Sequence, residues 1–511
     1  MEKKLERYVG ARPFETENQL IFRGRQADTE GVFRLIQLEN LVVLYGKSGT
    51  GKSSLLNAGI IPKVKLETEF DPIRLRFNAY KEGNAFIEPL ETARLSVRGN
   101  VPKHDTFLDK LIPNEATLWH DVKEHYIRHN GERGLLLVID QFEELFTYPA
   151  ESINAFQEQL AEALFKTVPQ RYWDILQAQY AEKKRPLSTD ELKLLQNKPA
   201  LKVVLSIRSD RVHLLNRMDA QLPTILKNLY ELDALSEASA RQAIQEPAAM
   251  LQMDVFETPP FLYAPATLDY ILDFLTHEKN TVSEADDAAL TVPVAQKIEA
   301  TQLQIICNAV EKKVKANNLQ VVQVADVGNL EVIIEQYYEN QIQNFDVSEQ
   351  LPARRLIEEG LVFEEEERRL SIYEGQIFKT YKVKPDTLRR LVDSHLLRAE
   401  PSLSGGYTYE LSHDTLVAPV LKAKNKRLEE ERAVAAVEAD KQLKTELAEA
   451  NRKAELEKQR RNRATLLGIV SFIGLLVAVW FYLDAKKAKV LTVKALKTAT
   501  EAREAAKEAQ A

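Results

Sequence analysis

The stretch LVVLYGKSGTGKSSLLNAGI, residues 41–60, decides the fold. Its first five residues are apolar and partly β-branched, which is typical of a buried strand, and the residues after Ser53 favour a helix. Between them, Gly46 to Ser53 fit the pattern G-x-x-x-x-G-K-[ST] at every position. The backbone N–H groups of such a loop and the N-terminus of the following helix converge on one point, which suits a phosphate group. The stretch therefore predicts a strand, a phosphate-binding loop and a helix.

The loop also predicts which atoms hold a nucleotide. Its glycines let the backbone approach the phosphates, Lys52 should reach the β- and γ-phosphates, and the Ser53 hydroxyl should ligate Mg²⁺. The residues expected to contact the nucleotide are Gly46, Ser48, Gly49, Thr50, Gly51, Lys52, Ser53 and Ser54.

Further apolar runs alternate with helix-like segments along the first half of the chain. They are Leu41 to Tyr45, the alternating Ile73, Leu75 and Phe77, then Leu135 to Ile139, Val203 to Ile207 and Leu229 to Leu232. This order predicts a mostly parallel sheet with helices on both faces, an α/β domain. The polar residues 180–198 look like a surface insertion between the third and fourth strands.

Charged residues follow the predicted third and fourth strands. Asp140 ends LLLVID and is the candidate to hold magnesium, because a phosphate-binding loop needs an acid at the end of a neighbouring strand. Glu143 and Glu144 come next, and one of them could orient or activate water, although either could equally be a solvated residue at a helix start. Arg208 could contact the γ-phosphate or pair with a surface carboxylate.

Composition excludes several other classes of protein. The 511 residues carry 69 Lys and Arg against 76 Asp and Glu, a net charge of −7, so nucleic acid is an unlikely partner. The single cysteine, Cys307, excludes an internal disulfide. The guanine-selecting N-K-x-D is missing, since Asn197 and Lys198 continue as Pro-Ala, so adenine is favoured.

Beyond residue 235 the pattern becomes mainly helical. Residues 351–424 combine helix-like segments with two extended pieces around a Ser-Gly-Gly turn, which suggests a winged helix. We predict a lead-in with a Gly-Arg motif at 1–37, a P-loop NTPase domain at 38–235, a helical domain at 236–350, a winged helix at 351–424, a charged helix or coiled coil at 425–463, a transmembrane helix at 464–483 and a charged helical tail at 484–511.

The segment ATLLGIVSFIGLLVAVWFYL, residues 464–483, contains 20 residues without a charge. As a helix it would be about 30 Å long, which matches a bilayer core. Basic residues flank it on both sides, and the first residues of the chain contain no apolar run typical of a signal peptide. We therefore expect a single-pass protein of the cytoplasmic membrane, contacting lipid through 464–483, with the NTPase part in the cytosol.

Several motifs in order resemble the bacterial novel STAND NTPase 1 family, which is related to AAA+ and NACHT NTPases. They are RPFETENQLIFRGR (12–25), GKSGTGKSSLLNAGIIP (46–62), LLLVIDQFEELFT (135–147), VVLSIRSD (203–210), YELDALSEASARQAIQEPA (230–248) and LSHDTLVAPVL (411–421). The spacing of the two acids behind Asp140 is similar to that in NACHT-type motifs.

The resemblance implies roles for further residues. Phe22, Gly24 and Arg25 would lie near the adenine, and Pro247 could pack on the base. Asp140 would bind magnesium, and Glu143 rather than Glu144 would be the catalytic acid. Arg208 would be the sensor 1 residue. His413 could touch the β-phosphate in an ADP-bound resting state, or be an ordinary core or surface histidine.

The expected function is that of a membrane-anchored signalling switch that binds ATP or ADP with Mg²⁺. We expect a slow Mg²⁺-dependent ATPase that opens and self-associates as a homo-oligomer, and that acts on a protein partner the sequence does not identify. Two alternatives are a nucleotide-binding scaffold without turnover and an AAA+-like mechanical ATPase. A mechanical ATPase would need a pore loop and a substrate domain, neither of which the sequence indicates.

Overall fold

The computed structural model divides into two compact units, Met1–Asn425 and Lys426–Ala511. It describes residues 4–47, 49–77, 87–99, 106–182, 184, 186–252, 254–277, 297–394, 396–401, 407–412 and 416–508. Ser48, His413 and the Ser-Gly-Gly turn, which carry three of the sequence predictions, lie outside these residues.

A five-stranded parallel sheet forms the centre of the first part of the chain, as the sequence predicts. Its strands are β1 (Leu41–Gly46), β2 (Phe70–Arg76), β3 (Gly134–Asp140), β4 (Leu201–Arg208) and β5 (Leu229–Glu231). They lie in the order β2-β3-β4-β1-β5, so β2 and β5 are the edge strands. In the register, Val43 pairs with Leu205, and Arg76 pairs with Asp140. The carboxyl ends of β1, β3 and β4 consequently meet at one edge of the sheet.

Helices cover both faces of this sheet. They are α1 (Gln26–Leu38), α2 (Lys52–Ser54), α3 (Ile61–Glu67), α4 (Pro89–Arg98), α5 (Phe107–Leu111), α6 (Leu118–Arg128), α7 (Ala150–Phe165), α8 (Gln170–Ala181) and α9 (Thr189–Gln196). The alternation of side chains along β3 separates two cores. Leu135, Leu137 and Ile139 enter one core, and Leu136 and Val138 enter the other.

The stretch 180–198 is more than the polar surface insertion that its composition predicts. It contains α9, whose N-cap Ser188 accepts a hydrogen bond from the Glu191 N–H while the Glu191 carboxylate accepts from the Ser188 N–H. Leu187 and Leu195 are buried in the larger core of the sheet. The burial of these two leucines packs the stretch against the P-loop domain.

A second group of helices follows the sheet and has its own core. It contains α10 (Glu237–Ala249), α11 (Pro265–His277), α12 (Ala300–Asn317), α13 (Val324–Val327), α14 (Leu330–Gln343) and the short parallel pair β6 (Leu262–Tyr263) and β7 (Val321–Val322). Tyr8 of the lead-in is buried in this core. The guanidinium of Arg7 donates to the carbonyl oxygens of Pro247 and Thr258, and the carboxylate of Glu311 accepts from the Arg7 N–H.

A third core unites the residues between Tyr338 and Leu421. Its elements are α15 (Val347–Arg355), β8 (Val362–Phe363), β9 (Arg368–Arg369), β10 (Ile372–Tyr373), α16 (Glu374–Thr380), α17 (Pro385–Asp393), β11 (Leu397–Pro401), β12 (Tyr407–Leu411) and the first residues of α18 (Val417–Glu508). The last three strands form a sheet in the order β10-β12-β11. The winged-helix assignment of this region stays a prediction.

Helix α18 runs through the second unit, and its side chains from Glu431 to Ala506 are exposed. Among the residues that the structure describes, it is the one helix that is long and apolar enough to span a membrane by length and composition. The apolar side chains of its segment 464–483 are no exception, since Trp480 and Phe481 are each 61% exposed.

Candidate nucleotide-binding site

A cleft of about 1040 Å³ lies at the carboxyl edge of the parallel sheet. Most of the predicted phosphate-binding and catalytic residues that the structure describes line it: Gly49, Gly51, Lys52, Ser53, Ser54, Asp140, Glu143, Glu144 and Arg208. This volume is at the upper end of the range usual for small-molecule sites. The fold thus gathers residues that are more than 150 positions apart in the chain.

The loop between β1 and α2 has the backbone that its glycines permit. Gly49 and Gly51 have φ angles of +80° and +93°, values that side chains other than hydrogen rarely allow. A Cβ on Gly46 would lie 2.5 Å from the carbonyl oxygen of Leu232. The Lys52 ammonium donates to the carbonyl oxygens of Gly46 and Lys47 at 2.8 and 3.0 Å, which holds it at the inner side of the loop.

The charge of Lys52 responds to groups from several elements. Burial lowers the pKa of Lys52, and the carboxylates of Glu143 and Asp140 oppose this effect. The cations Arg208 and Arg398 lower the pKa further. Lys52 therefore lies within electrostatic reach of the residues after β3, of the end of β4 and of β11.

Asp140 offers a metal ligand in a chemically suitable place. Its carboxylate is 2% exposed, and it accepts from the Gln141 N–H and from Arg74 Nη2, both at 3.1 Å. Gln141 turns the chain sharply with φ of +55°. Asp140 and the Ser53 hydroxyl present hard oxygen atoms to the same cleft, and this donor set fits Mg²⁺.

The two glutamates behind Asp140 have different surroundings. Glu144 is buried and accepts two hydrogen bonds from the guanidinium of Arg76, at 2.9 and 3.3 Å. Burial raises the pKa of Glu144 to about 7, although Arg76 opposes the shift. Glu143 lies close enough to Lys52 to act on its pKa. Glu144 is thus held by Arg76, while Glu143 is within electrostatic reach of Lys52.

Arg208 lines the cleft and is oriented by the residue two positions later. Its Nε and Nη2 donate to the two carboxylate oxygens of Asp210, at 3.0 and 3.1 Å. Such a forked pair fixes the plane of the guanidinium.

The Gly-Arg motif lies behind the loop and does not line the cleft. Gly24 packs against α10, because a Cβ there would lie 2.2 Å from the carbonyl oxygen of Ser239. Arg25 is buried, and its Nη2 donates to the carbonyl oxygens of Thr50 and Asp233 at 2.8 and 2.7 Å. The pair therefore connects the phosphate-binding loop to the segment that leads into α10.

Phe22 and Pro247 also lie away from the cleft lining. Phe22 makes an edge-to-face contact with Phe14, with ring centroids 5.2 Å apart. Pro247 is buried inside α10, and its carbonyl oxygen accepts from Arg7 at 2.6 Å. The adenine contacts implied for these two residues and for the Gly-Arg motif stay predictions.

The sequence matches the Novel STAND NTPase 1 family over residues 8–459. The chain belongs to this family. The match confirms the resemblance stated on the six motifs, and it makes the protein a STAND-type P-loop NTPase. No curated protein matches the chain in sequence.

Several solved structures are similar to this family member at low identity. The ORC1 protein of Aeropyrum pernix in complex with DNA is 13% identical, with 81% of this chain and 98% of that chain covered and a TM-score of 0.38. A Walker-type ATPase of Pyrococcus abyssi is 12% identical, with 80% of this chain and 98% of that chain covered and a TM-score of 0.38. The RuvB Holliday junction branch migration motor of Thermotoga maritima is 14% identical, with 80% of this chain and 97% of that chain covered and a TM-score of 0.33.

Two arginines of this STAND NTPase were missed from the sequence although a signal was present. Arg74 and Arg76 alternate with Ile73, Leu75 and Phe77 in the edge strand β2, so they share one side of it. Arg76 is the last residue of β2, and Arg74 lies two residues before it. At this end of the strand, Arg74 pairs with Asp140 of the neighbouring β3, and Arg76 pairs with Glu144, which follows β3. Cations next to predicted metal-binding acids could have been read from that alternation.

The lead-in and β11 also contribute to the cleft of this STAND NTPase. Residues 4–6 and 9–15 line it, and Glu15 joins Arg74 at 3.4 Å and the Asn57 amide at 3.1 Å. Arg398 of β11 lines it as well. Neither contribution has a local sequence signal, because both depend on contacts between segments far apart in the chain.

Proposed function

We propose that this protein is a membrane-anchored nucleotide switch that binds adenine nucleotide with Mg²⁺ and hydrolyses ATP slowly. One observation carries the proposal: a single cleft is lined by the phosphate-binding loop, by the acids after β3 and by residues of the third core. A ligand in that cleft contacts elements from separate cores, so its chemical state can alter how they pack.

The residues have separate roles in this proposal. Lys52 binds the β- and γ-phosphates, and Ser53 and Asp140 hold Mg²⁺, which would screen the phosphate charge when bound. Glu143, which lies within electrostatic reach of Lys52, orients the attacking water and accepts its proton. Arg208 contacts the γ-phosphate and distinguishes ATP from ADP.

The proposed switch couples the phosphates to self-association. The ADP form is closed, with the third core against the P-loop domain and His413 donating to the β-phosphate. The ATP form opens and forms a homo-oligomer that acts on a protein partner. A ligand shifts such an equilibrium only through contacts that differ between the two forms.

The membrane anchor is the apolar segment 464–483 of α18. It contains 20 residues without a charge, and its exposed apolar side chains would be covered by lipid. ATP and Mg²⁺ are abundant in the cytosol, so we place the P-loop domain on that side of the membrane.

The test uses the full chain in detergent and titrates it with ATP, ADP and GTP in the presence of Mg²⁺ by calorimetry. Lys52→Ala should remove most of the affinity for ATP and ADP, whereas Lys47→Ala, in the same loop and exposed, should keep it. Equal binding by Lys52→Ala, or a preference for GTP, would contradict the proposed site.

A second measurement separates the switch from a scaffold. With a non-hydrolysable ATP analogue, the particle mass should increase to that of an oligomer. With ADP, it should stay at the mass of a monomer. A scaffold without turnover is favoured by the ion pairs that engage Asp140 and Glu144, and it predicts nucleotide binding with the same mass in both states.

A further inference from the structure

We propose that Arg398 binds the terminal phosphate of the nucleotide held by Lys52, so that one ligand is held by residues from two parts of the fold, the P-loop domain and the third core. This inference rests on the proposed function, since it concerns the same cleft. It assigns a phosphate ligand to a strand that no motif of the sequence singles out.

Arg398 occupies a suitable position in the fold. It lies on β11, which belongs to the third core, whereas Lys52 begins α2, directly after the phosphate-binding loop. Arg398 lines the nucleotide cleft together with its neighbours Leu397 and Ala399, and only 16% of its side chain is exposed. A guanidinium that is mostly withdrawn from water and lines an anion-binding cleft is suited to a charged ligand.

The direction of the Arg398 side chain is fixed across the hairpin. Arg398 pairs with Glu410 in the antiparallel register of β11 and β12, and the guanidinium Nε and Nη2 both contact the same oxygen, Glu410 Oε1. The other oxygen of Glu410 accepts from the Ser371 hydroxyl at 2.9 Å. Glu410 is therefore a positioning residue that holds the guanidinium at the cleft wall.

Three elements contribute a positive charge to the part of the cleft that Lys52 lines. The cleft is lined by Lys52, by Arg208 at the end of β4 and by Arg398. The carboxylates of Asp140 and Glu143 line the same cleft. A phosphate group placed between the three cations would be attracted by all of them.

The expected consequence is kinetic. A nucleotide bound by both Lys52 and Arg398 can leave only when the third core separates from the P-loop domain, so Arg398 should slow its release. Because a guanidinium stays protonated throughout the accessible pH range, this contribution should not depend on pH above about pH 7, where the terminal phosphate is fully ionised. A contact from His413 would weaken as the imidazole loses its proton, which makes the two contributions distinguishable.

The experiment measures the release of fluorescently labelled ADP from the full chain in detergent by stopped flow. Arg398→Ala should accelerate release about tenfold or more, the usual effect of losing a hydrogen bond to a charged group. Arg398→Lys should restore part of the slow release, and Glu410→Gln should be intermediate. The control Arg389→Ala removes an exposed arginine of α17 that pairs with Asp386 and should release ADP at the wild-type rate.

Labelled AMP provides the readout that a merely structural role would not change. If Arg398 binds the terminal phosphate of ADP, Arg398→Ala should accelerate the release of ADP much more than that of AMP. Equal acceleration of both, or an unchanged ADP release rate, would overturn the role of Arg398 while Lys52-dependent binding still supported the proposed function. A wild-type chain that binds no nucleotide would overturn both.

Discussion

Replacement of Gly24 by alanine should destabilise the P-loop domain through two separate effects. Gly24 has φ of +79°, and an added Cβ would lie 2.2 Å from the carbonyl oxygen of Ser239 and 3.1 Å from the Cβ of Ala243. The left-handed backbone costs an alanine about 1–2 kcal/mol. The collision adds about 1–3 kcal/mol, because a helix carbonyl cannot rotate away as a flexible side chain would.

The expected total is a loss of roughly 2–5 kcal/mol of unfolding free energy. Gly10→Ala is a matched control, since Gly10 has φ of +68° but its nearest neighbour, Asn308 Cγ, would lie 3.7 Å from the new Cβ. This control should lose only the backbone contribution. The difference between the two variants therefore isolates the collision with α10.

Thermal unfolding of the full chain in detergent, followed by circular dichroism, measures the effect. At about 2–4 °C per kcal/mol, the midpoint of the P-loop domain should fall by roughly 4–20 °C for Gly24→Ala and by less for Gly10→Ala. Equal midpoints for the two variants would refute the close packing on α10. Weaker nucleotide binding with an unchanged midpoint would instead support the predicted contact of Gly24 with adenine.

Four further predictions concern Arg74, the two glutamates and the membrane segment. Arg74→Gln should strengthen Mg²⁺ binding to the ADP-bound protein about fivefold in calorimetry, because the cation that pairs with Asp140 at 3.1 Å no longer competes; unchanged or weaker binding would contradict this. Glu143→Gln should keep nucleotide binding and slow hydrolysis. In the wild type, the folded protein keeps the proton of Glu144 to a higher pH than the unfolded chain does, so the unfolding free energy should fall by up to about 3 kcal/mol as the pH rises from 4.5 to about 7. Glu144→Gln should abolish this fall and keep hydrolysis. A wild-type pH profile or abolished turnover in this variant would contradict the role given to Glu144. The full chain should resist carbonate extraction from membranes, and a chain without residues 464–483 should not.

The sequence predicted the parts of the site whose residue types have one main structural or chemical role. The glycines and lysine of residues 46–53 predicted the loop, and Asp140 at the end of an apolar run predicted the acid at the carboxyl edge of the sheet. Both signals are local, since strand, turn and helix follow one another within a few residues. The parallel sheet follows from the same local patterns repeated along the chain.

The contacts between distant segments could not be predicted in this way. Arg398 is an ordinary residue of a short strand until the fold brings β11 to the cleft. The expected position of Arg25 near the adenine stays a prediction. Its hydrogen bonds to the backbone at Thr50 and Asp233 had no signal in the sequence, because they depend on where β5 ends. A motif shows that a residue matters, whereas only the packing of its neighbours shows what it touches.

The edge position of β2 restricts how two copies of this protein can associate. An exposed strand edge can recruit a strand of another chain, and charges or a proline on the edge prevent this. β2 carries Pro72, which has no N–H to donate, and Arg74 and Arg76, whose charges face solvent in part. A continuous sheet across two molecules is therefore disfavoured on this side. The self-association that we propose for the ATP form should therefore use a surface other than this edge, which leaves the nucleotide cleft beside β2 open to exchange.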